Sequence, residues 1–235
     1  MERRPSGRAP NALRPVTIEP GVQRGAAGSV LITQGGTRVV CAASVEEKVA
    51  PWLTGKGRGW VTAEYAMLPA SGGKRSPRGP NSRATEIQRL VGRALRIAVD
   101  LSKMPGLTIT VDCDVLEADG GTRTASITGG YVALHLACAE LVRLGKLAAL
   151  PLVAQVAAVS AGIVGGTPIL DLDYLEDSSA DVDMNVVGLA DGRLVEVQGT
   201  AEHAPFDARE LNAMVDLAQA GIRELVALQS AALRG

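Results

Sequence analysis

An α+β architecture built from two similar halves is the fold class this sequence predicts. Two observations point to it. Short apolar runs joined by glycine turns precede long helical periods, and this order of hairpins then helices occurs twice. The same turn, Gly-Gly-Thr, stands at Gly35-Gly36-Thr37 and again at Gly165-Gly166-Thr167. The pattern reads either as an internal duplication of a ββαβα-like unit or as plain turn chemistry used twice. The 235 residues suit a single core, residues 1–235, with halves of about 1–145 and 150–235.

Residues 1–14 are rich in Arg, Pro and Gly and read as an extended arm. Val30–Thr33 and Arg38–Ala42 form the first hairpin, turning where glycine supplies positive φ. Val61–Leu68 is a further strand, followed by the polar loop Ser71–Asn81 with Lys74, Arg75 and Arg78. Asn81 or Ser82 caps a helix over Arg83–Lys103, whose apolar positions Ile87, Leu90, Val91, Ala94, Leu95 and Ala98 keep helical spacing. Leu107–Leu116 alternates as a strand and sets Asp112 and Asp114 on one face. A second helix covers roughly Ser126–Gly145, and its Gly129-Gly130 pair predicts close packing. The second half repeats the theme with Val156–Val164 turning into Pro168–Tyr174, and Val182–Leu189 turning at Asp191-Gly192 into Arg193–Gln198. Asp207 and Glu210 resemble a capping box that opens a final helix to about Leu233.

Apolar residues make up 46 % and charged residues 21 %, which excludes a disordered chain. Aromatic residues reach only 3 %, so the core must come from Ala, Val, Leu and Ile. Three cysteines, Cys41, Cys113 and Cys138, sit apart in apolar runs and argue against a disulfide framework or a Cys-based zinc site. They read as small hydrophobes. No apolar run looks as long as a membrane span, and Met1–Pro5 leads into no apolar signal core, so a reducing, cytoplasmic setting is expected. The net charge of −1 hides a polarity: residues 1–123 sum to +7 and residues 124–235 to −8. Either the two halves attract each other, or the basic half meets phosphates and the acidic half a hard cation.

Four constellations can carry chemistry. Gly120-Gly121-Thr122-Arg123-Thr124-Ala125-Ser126 joins a strand to a helix, bringing backbone N–H groups, hydroxyls and a guanidinium to one helix end. That is the recipe for a phosphate site, though a plain glycine turn has the same composition. Arg83 stands at a helix start, where a cation is misplaced unless an anion visits. Arg89, Arg93 and Arg96 follow at helical spacings, giving a basic face that is either solvated or bound to a polyanion. Asp177, Asp181, Asp183 and Asn185 crowd oxygen ligands together, as a divalent cation or a shared proton would require, or form a solvated acidic loop. After the last strand, Glu196–His203 offers His203 as a general base or as a plain surface residue, whereas His135, inside an apolar helix, reads as packing.

Several blocks closely resemble the bacterial ribonuclease PH family: Arg83–Leu90, Asp112–Leu116, Ala118–Gly129, Glu176–Ser178 with Asp183–Val187, Glu196–Glu202, Gly59–Tyr65 and Leu13–Val16. The resemblance runs from about residue 7 to the C-terminus. It implies an RNase PH-type fold of duplicated βαβα-like halves with mixed sheets and packed helices. It also implies a phosphorolytic 3′→5′ exoribonuclease, a nucleotidyltransferase that trims tRNA precursors and releases nucleoside 5′-diphosphates reversibly. By motif, Arg83, Gly121, Thr122 and Arg123 would hold inorganic phosphate as co-substrate. Asp177 and Asp183 would be the catalytic aspartates, acting through bound Mg²⁺ or by passing a proton. Lys74, Arg75 and Arg78 would face the opening of a ring-shaped homo-hexamer, a trimer of dimers, and with Arg89 and Arg93 would touch RNA. Departures lie at His203-Ala204 and in a shortened Gly72–Pro80 loop. A non-catalytic RNA-binding ring subunit is the alternative of a different class, and the joint presence of Arg83, Arg123, Asp177 and Asp183 speaks against it. The related polynucleotide phosphorylases fuse two such cores in one chain, and 235 residues hold one.

Overall fold

Period-two alternation builds two sheets, and one long apolar helix lies between them. The computed structural model describes Arg4, residues 6–79 and residues 81–234. The start of the arm, apart from Arg4, and Pro80 of the polar loop lie outside the described residues. The first sheet contains β1 (Val16–Pro20), β2 (Gly28–Gln34), β3 (Thr37–Glu46), β4 (Trp60–Met67) and β5 (Thr108–Glu117), in the spatial order β1-β2-β3-β5-β4. Its pairs are antiparallel except β4 with β5, which run parallel. A parallel pair needs a crossover, and α1 (Ser82–Ile97) supplies it. The helix α2 (Thr122–Arg143) follows β5. The second sheet, β6 (Val156–Val164), β7 (Thr167–Leu170), β8 (Val182–Leu189) and β9 (Leu194–Ala201), has the order β7-β6-β8-β9 and is antiparallel throughout. A one-turn helix, α3 (Tyr174–Ser178), links β7 to β8, and α4 (Ala208–Ala232) closes the described fold.

This is the duplicated α+β fold, with mixed pairing confined to the first sheet. One core joins Ile32, Val39 and Cys41 to Ile127 and Leu134 of α2 and to Val156, Ala158 and Val187 of the second sheet. The other joins Ala157, Val159, Ala161 and Met184 to Met214, Ala218, Ile222 and Leu225 of α4. Successive residues of β6 therefore feed opposite cores, which explains a strand apolar on both faces. A Cβ on Gly129 would lie 2.8 Å from Ile32 Cγ2 and 3.0 Å from Cys41 Sγ, so the close packing expected of the glycine pair falls on Gly129. The three cysteines are free and buried, and Cys41 faces Cys113 across β3 and β5.

Four expectations change. The helix α1 stops at Ile97 instead of Lys103, because Asp100 accepts from Ser102 N and starts a separate 3₁₀ turn over Leu101–Lys103. The helix α2 begins at Thr122, not Ser126, since polar Thr122 and Thr124 are themselves buried. The strand β1 and the helix α3 have no counterpart in the sequence expectation. Contrary to the expectation that no run could span a bilayer, α2 is long and apolar enough by length and composition; here that apolarity is spent on burial between two sheets.

The arm has no regular element before β1, yet it is docked rather than free. Arg14 Nη2 meets Asp171 Oδ1 at 2.7 Å, Arg14 N meets Asp171 Oδ2 at 2.7 Å, and Gln34 Nε2 donates to Oδ1 at 2.8 Å. Arg4 grips Glu176 with two bonds of 2.7 Å, and Arg8 reaches the same carboxylate at 3.1 Å. Attraction between the basic and acidic halves is thus built into the fold. Burial alone pushes Asp171 upward, but the Arg14 hydrogen bonds and charge outweigh it and hold the carboxyl below its ordinary range.

Removing one partner of such a pair leaves an uncompensated buried charge. Asp171→Ala is expected to lower unfolding free energy by about 3–5 kcal/mol, read from urea denaturation at neutral pH. A loss below about 1 kcal/mol, the scale of an exposed pair, would show that the clamp contributes little.

Candidate active site

Gly120 and Gly121 carry φ of +74° and +67°, the left-handed region that glycine enters without strain. Space demands glycine at the first as well, since a Cβ there would lie 2.6 Å from Leu172 O. Gly121 is the N-cap of α2 and offers no side chain, so the first N–H groups of the helix keep their donors free. The loop is fastened from behind. Thr37 Oγ1 donates to Gly120 O at 2.6 Å and accepts from Asp119 N at 2.9 Å, and the Arg14 guanidinium donates to Asp119 O. Thr122 Oγ1 lies 2.8 Å from Tyr65 OH, a phenol whose pKa burial raises.

Two adjoining cavities meet at this loop. One, of about 510 Å³, is polar and takes in Arg83, Arg123, Asp177, Asp183, Gln198 and His203. Its neighbour, of about 470 Å³, shares Arg83, Arg123, Asp177, Asp183 and Asn185 and adds Met67, Gly120, Gly121, Thr122 and Tyr174. Register explains the polar wall: Asp183 pairs with Thr200 and Asn185 with Gln198 across β8 and β9, so all four share a face. Asp177 arrives on α3, whose capping box links Asp173 and Glu176. Arg83 comes from the first turn of α1, capped by Asn81, which accepts from Ala84 N at 2.7 Å. Arg123 Nη1 is steadied by Gln198 Oε1 at 3.0 Å and lies 3.9 Å from Glu86 Oε1.

The electrostatics are those of a site waiting for a partner. Burial, then the Asp177 charge, pushes Asp183 up to about 6, against the pull of Arg123 and Arg83. Burial also raises Asp177, again opposed by Arg83 and Arg123. Among the described residues neither carboxylate accepts a hydrogen bond from the protein. Two cations and two carboxylates thus face one space without neutralising each other, an arrangement that suits an anion on one side and a proton or hard cation on the other. Among the described residues no set of three His, Cys, Asp or Glu is placed to cage a metal.

The structure brings together Arg83, Gly121, Thr122, Arg123, Asp177 and Asp183. It separates others. Glu176 is taken by the arm, and Asp181 uses its carbonyl to accept from Glu202 N and is not among the cavity-lining residues. Arg93 is held by Glu196 at 2.9 Å, and Arg96 stacks on Trp60 at 4.4 Å, so the basic face of α1 is partly used internally. Arg89 lines a groove that shares Glu86 and Gln198 with the polar cavity. Lys74, Arg75 and Arg78 are exposed on the loop whose Gly72 and Gly73 border the second cavity. His203 reaches the polar cavity. His135 packs beside Tyr131, its pKa lowered by burial. Tyr65, Glu86 and Tyr174 were missed by sequence reasoning: Tyr65 meets Thr122, Tyr174 meets Asp119, and Glu86, one turn from Arg83, meets Arg123 and Gln198, all contacts between residues distant in the chain.

Residues 12–140 match the model of domain 1 of the 3′ exoribonuclease family, and residues 154–221 match that of domain 2. Among solved structures, a chain of the Archaeoglobus fulgidus exosome with RNA bound to the active site is similar at 27 % identity, with a TM-score of 0.83 over 95 % of this chain and 91 % of that one. A chain of an archaeal exosome core is similar at 26 % identity, with a TM-score of 0.81 over 97 % and 91 %. Rice (Oryza sativa) Rrp46 shares the fold at 19 % identity, with a TM-score of 0.81 over 98 % and 100 %.

Because Asp183 is raised to about 6 from an ordinary 3.8, the folded chain keeps a proton that the unfolded chain releases. The resulting stability is full below about pH 4 and is lost as pH rises through about 6. Asp183→Asn should therefore melt higher than the parent at pH 7.5, and the gap should close at acid pH. Equal melting temperatures at pH 7.5 would show that the carboxylate is not penalised there.

Proposed function

This chain belongs to the 3′ exoribonuclease family, and from that premise we propose that it is a phosphorolytic exoribonuclease of the bacterial ribonuclease PH kind, trimming the 3′ ends of tRNA precursors. The observation that carries the reading is the meeting of Arg83 and Arg123 with Asp177 and Asp183 around one space beside the free N–H groups of α2. Inorganic phosphate sits against Gly121, Thr122, Arg83 and Arg123, where helix end and guanidinium groups offset its charge and hold it for in-line attack. A phosphate oxygen bonds the terminal phosphorus, the bond from phosphorus to the upstream 3′-oxygen breaks, and a nucleoside 5′-diphosphate is released. The departing 3′-oxygen gains a proton. Asp183, its carboxyl raised to about 6, is a stronger proton acceptor than an ordinary aspartate and is suited to exchange that proton.

Asp177 and Asp183 also fit Mg²⁺: two hard carboxylates without protein partners suit a cation that keeps most of its water. When bound, the ion supplies positive charge where the leaving oxygen develops its own negative charge. Lys74, Arg75 and Arg78, at the mouth of the site, guide the RNA strand, with Arg89 and Arg93 beside them. The assembly is a homo-hexamer in the cytoplasm. The exosome structure with RNA at its active site supports the reading as a relative with the same architecture.

A 3′-labelled oligoribonucleotide, incubated with Mg²⁺ with and without phosphate, should release nucleoside diphosphate only when phosphate is present. Monophosphate released without phosphate would mean hydrolysis, and no release at all would favour a non-catalytic ring subunit. Arg123→Ala should lower kcat/KM for phosphate by about 10²–10³-fold, with an unchanged phosphate dependence counting against the clamp. Neutralising Lys74, Arg75 and Arg78 together should flatten the salt slope of RNA binding by about 2 log units per log unit of salt; the parental slope would remove the loop from the RNA path.

A further inference from the structure

Tyr174 is 61 % exposed in a chain with few aromatic residues, and it lines the second cavity together with Met67. Its backbone is pressed onto the glycine loop: a Cβ on Gly120 would lie 3.0 Å from Tyr174 N, and that N–H donates to Asp119 Oδ1 at 3.3 Å. Three residues later on the same short helix stands Asp177, one turn away and on the same face. Leu175, equally exposed, is not among the residues lining the cavity.

The two adjoining cavities differ in kind. Carboxylates, amides, hydroxyls, two guanidinium groups and the His203 imidazole line the first, whereas the second shares the guanidinium groups and adds a thioether, a phenol ring and bare glycine backbone. A nucleotide whose phosphorus lies between the arginine and aspartate pairs must place its base within one nucleotide of that point. The wall that offers a phenol face and a polarizable sulfur side by side with the glycine loop is the second.

We propose that Tyr174, together with Met67, grips the base of the 3′-terminal nucleotide by stacking. This rests on the exoribonuclease reading and adds the source of terminal-base affinity. Every base has a π-face, so the grip is indifferent to sequence yet demands that a base be present. It also ties substrate binding to chemistry, because the residue under the base and Asp177 ride on one helical turn.

The test uses the full chain and RNAs ending in 2-aminopurine, in a normal base, or in an abasic nucleotide. Without phosphate, binding should quench the 2-aminopurine fluorescence, and Tyr174→Ala should abolish the quench while Tyr174→Phe retains it. With phosphate, Tyr174→Ala should raise KM for base-ended RNA by about 5–100-fold, with most of the loss in KM and not kcat. Abasic-ended RNA should already bind weakly to the parent and lose little more in the variant. Equal quenching in the parent and Tyr174→Ala, or the same loss on base-ended and abasic RNA, would overturn the stacking role. So would a variant whose only change is a smaller assembly, which would make Tyr174 a contact between copies. Failure of the parent to release diphosphate would instead strike the exoribonuclease reading, while the fluorescence would still report on stacking.

Discussion

The buried pair Arg14–Asp171 is the constraint on which the site depends. Asp171 is fully buried and takes a φ of +55°, which a non-glycine residue holds only when its surroundings over-determine it. Those surroundings are one backbone N–H, the Arg14 guanidinium and one amide hydrogen-bonded to a single carboxylate, with the Arg8 guanidinium 3.8 Å away. The Arg14 guanidinium also donates to Asp119 O in the glycine loop. A single side chain therefore registers the arm, the end of β2, the glycine loop and the segment leading into α3. Burying two charges is expensive, and attraction offsets it only when geometry and hydrogen bonds are good. What the pair contributes is position: the loop and α3 are held against one another, and Arg123 and Asp177 with them.

The site then rests on a balance of unpaired charge. Had Arg83 or Arg123 formed a close ion pair with Asp177 or Asp183, the carboxylates would be depressed and the guanidinium groups occupied. Instead both carboxylates are raised, and Arg123 is steadied sideways by a neutral amide, Gln198. Arg123, Asp177 and Asp183 are partly buried and Arg83 is exposed, and the four charges face one space because each is fixed by its own element.

Much of this was legible in the chain. Hairpins announced themselves through glycine turns, and the Asp207–Glu210 box marked the start of α4 to within a residue. Arg83 stood out as a cation at a helix start and Arg123 as a guanidinium beside a glycine turn, whereas Asp177 and Asp183 lay in a crowd of acids from which only the family resemblance picked them. Other features depended on distant residues and left no local mark. Glu176 and Asp177 are neighbours of like chemistry, yet one is buried against Arg4 and the other opens to the cavity, a division decided by an arm some 170 residues upstream. The strand β1 is a five-residue edge strand with a largely exposed pattern, and α3 is a single turn, too short for periodicity to speak. Apolar period misled at α1, where Ala98 and Val99 continue the stripe after the helix has ended.

The docked arm also bears on the order in which the molecule can be made. Arg4 and Arg14 meet partners 172 and 157 positions further along. At a synthesis rate of about 5–20 residues per second, those partners follow after about 10–30 s. The first sheet and its crossover helix use only earlier residues and can pair in that interval, while the arm waits in solvent. Docking onto Asp171 and Glu176 is thus a late event of high contact order. Because it seats α3 beside the glycine loop, a nascent chain holds most of its secondary structure before the arginine and carboxylate sides of the site face each other.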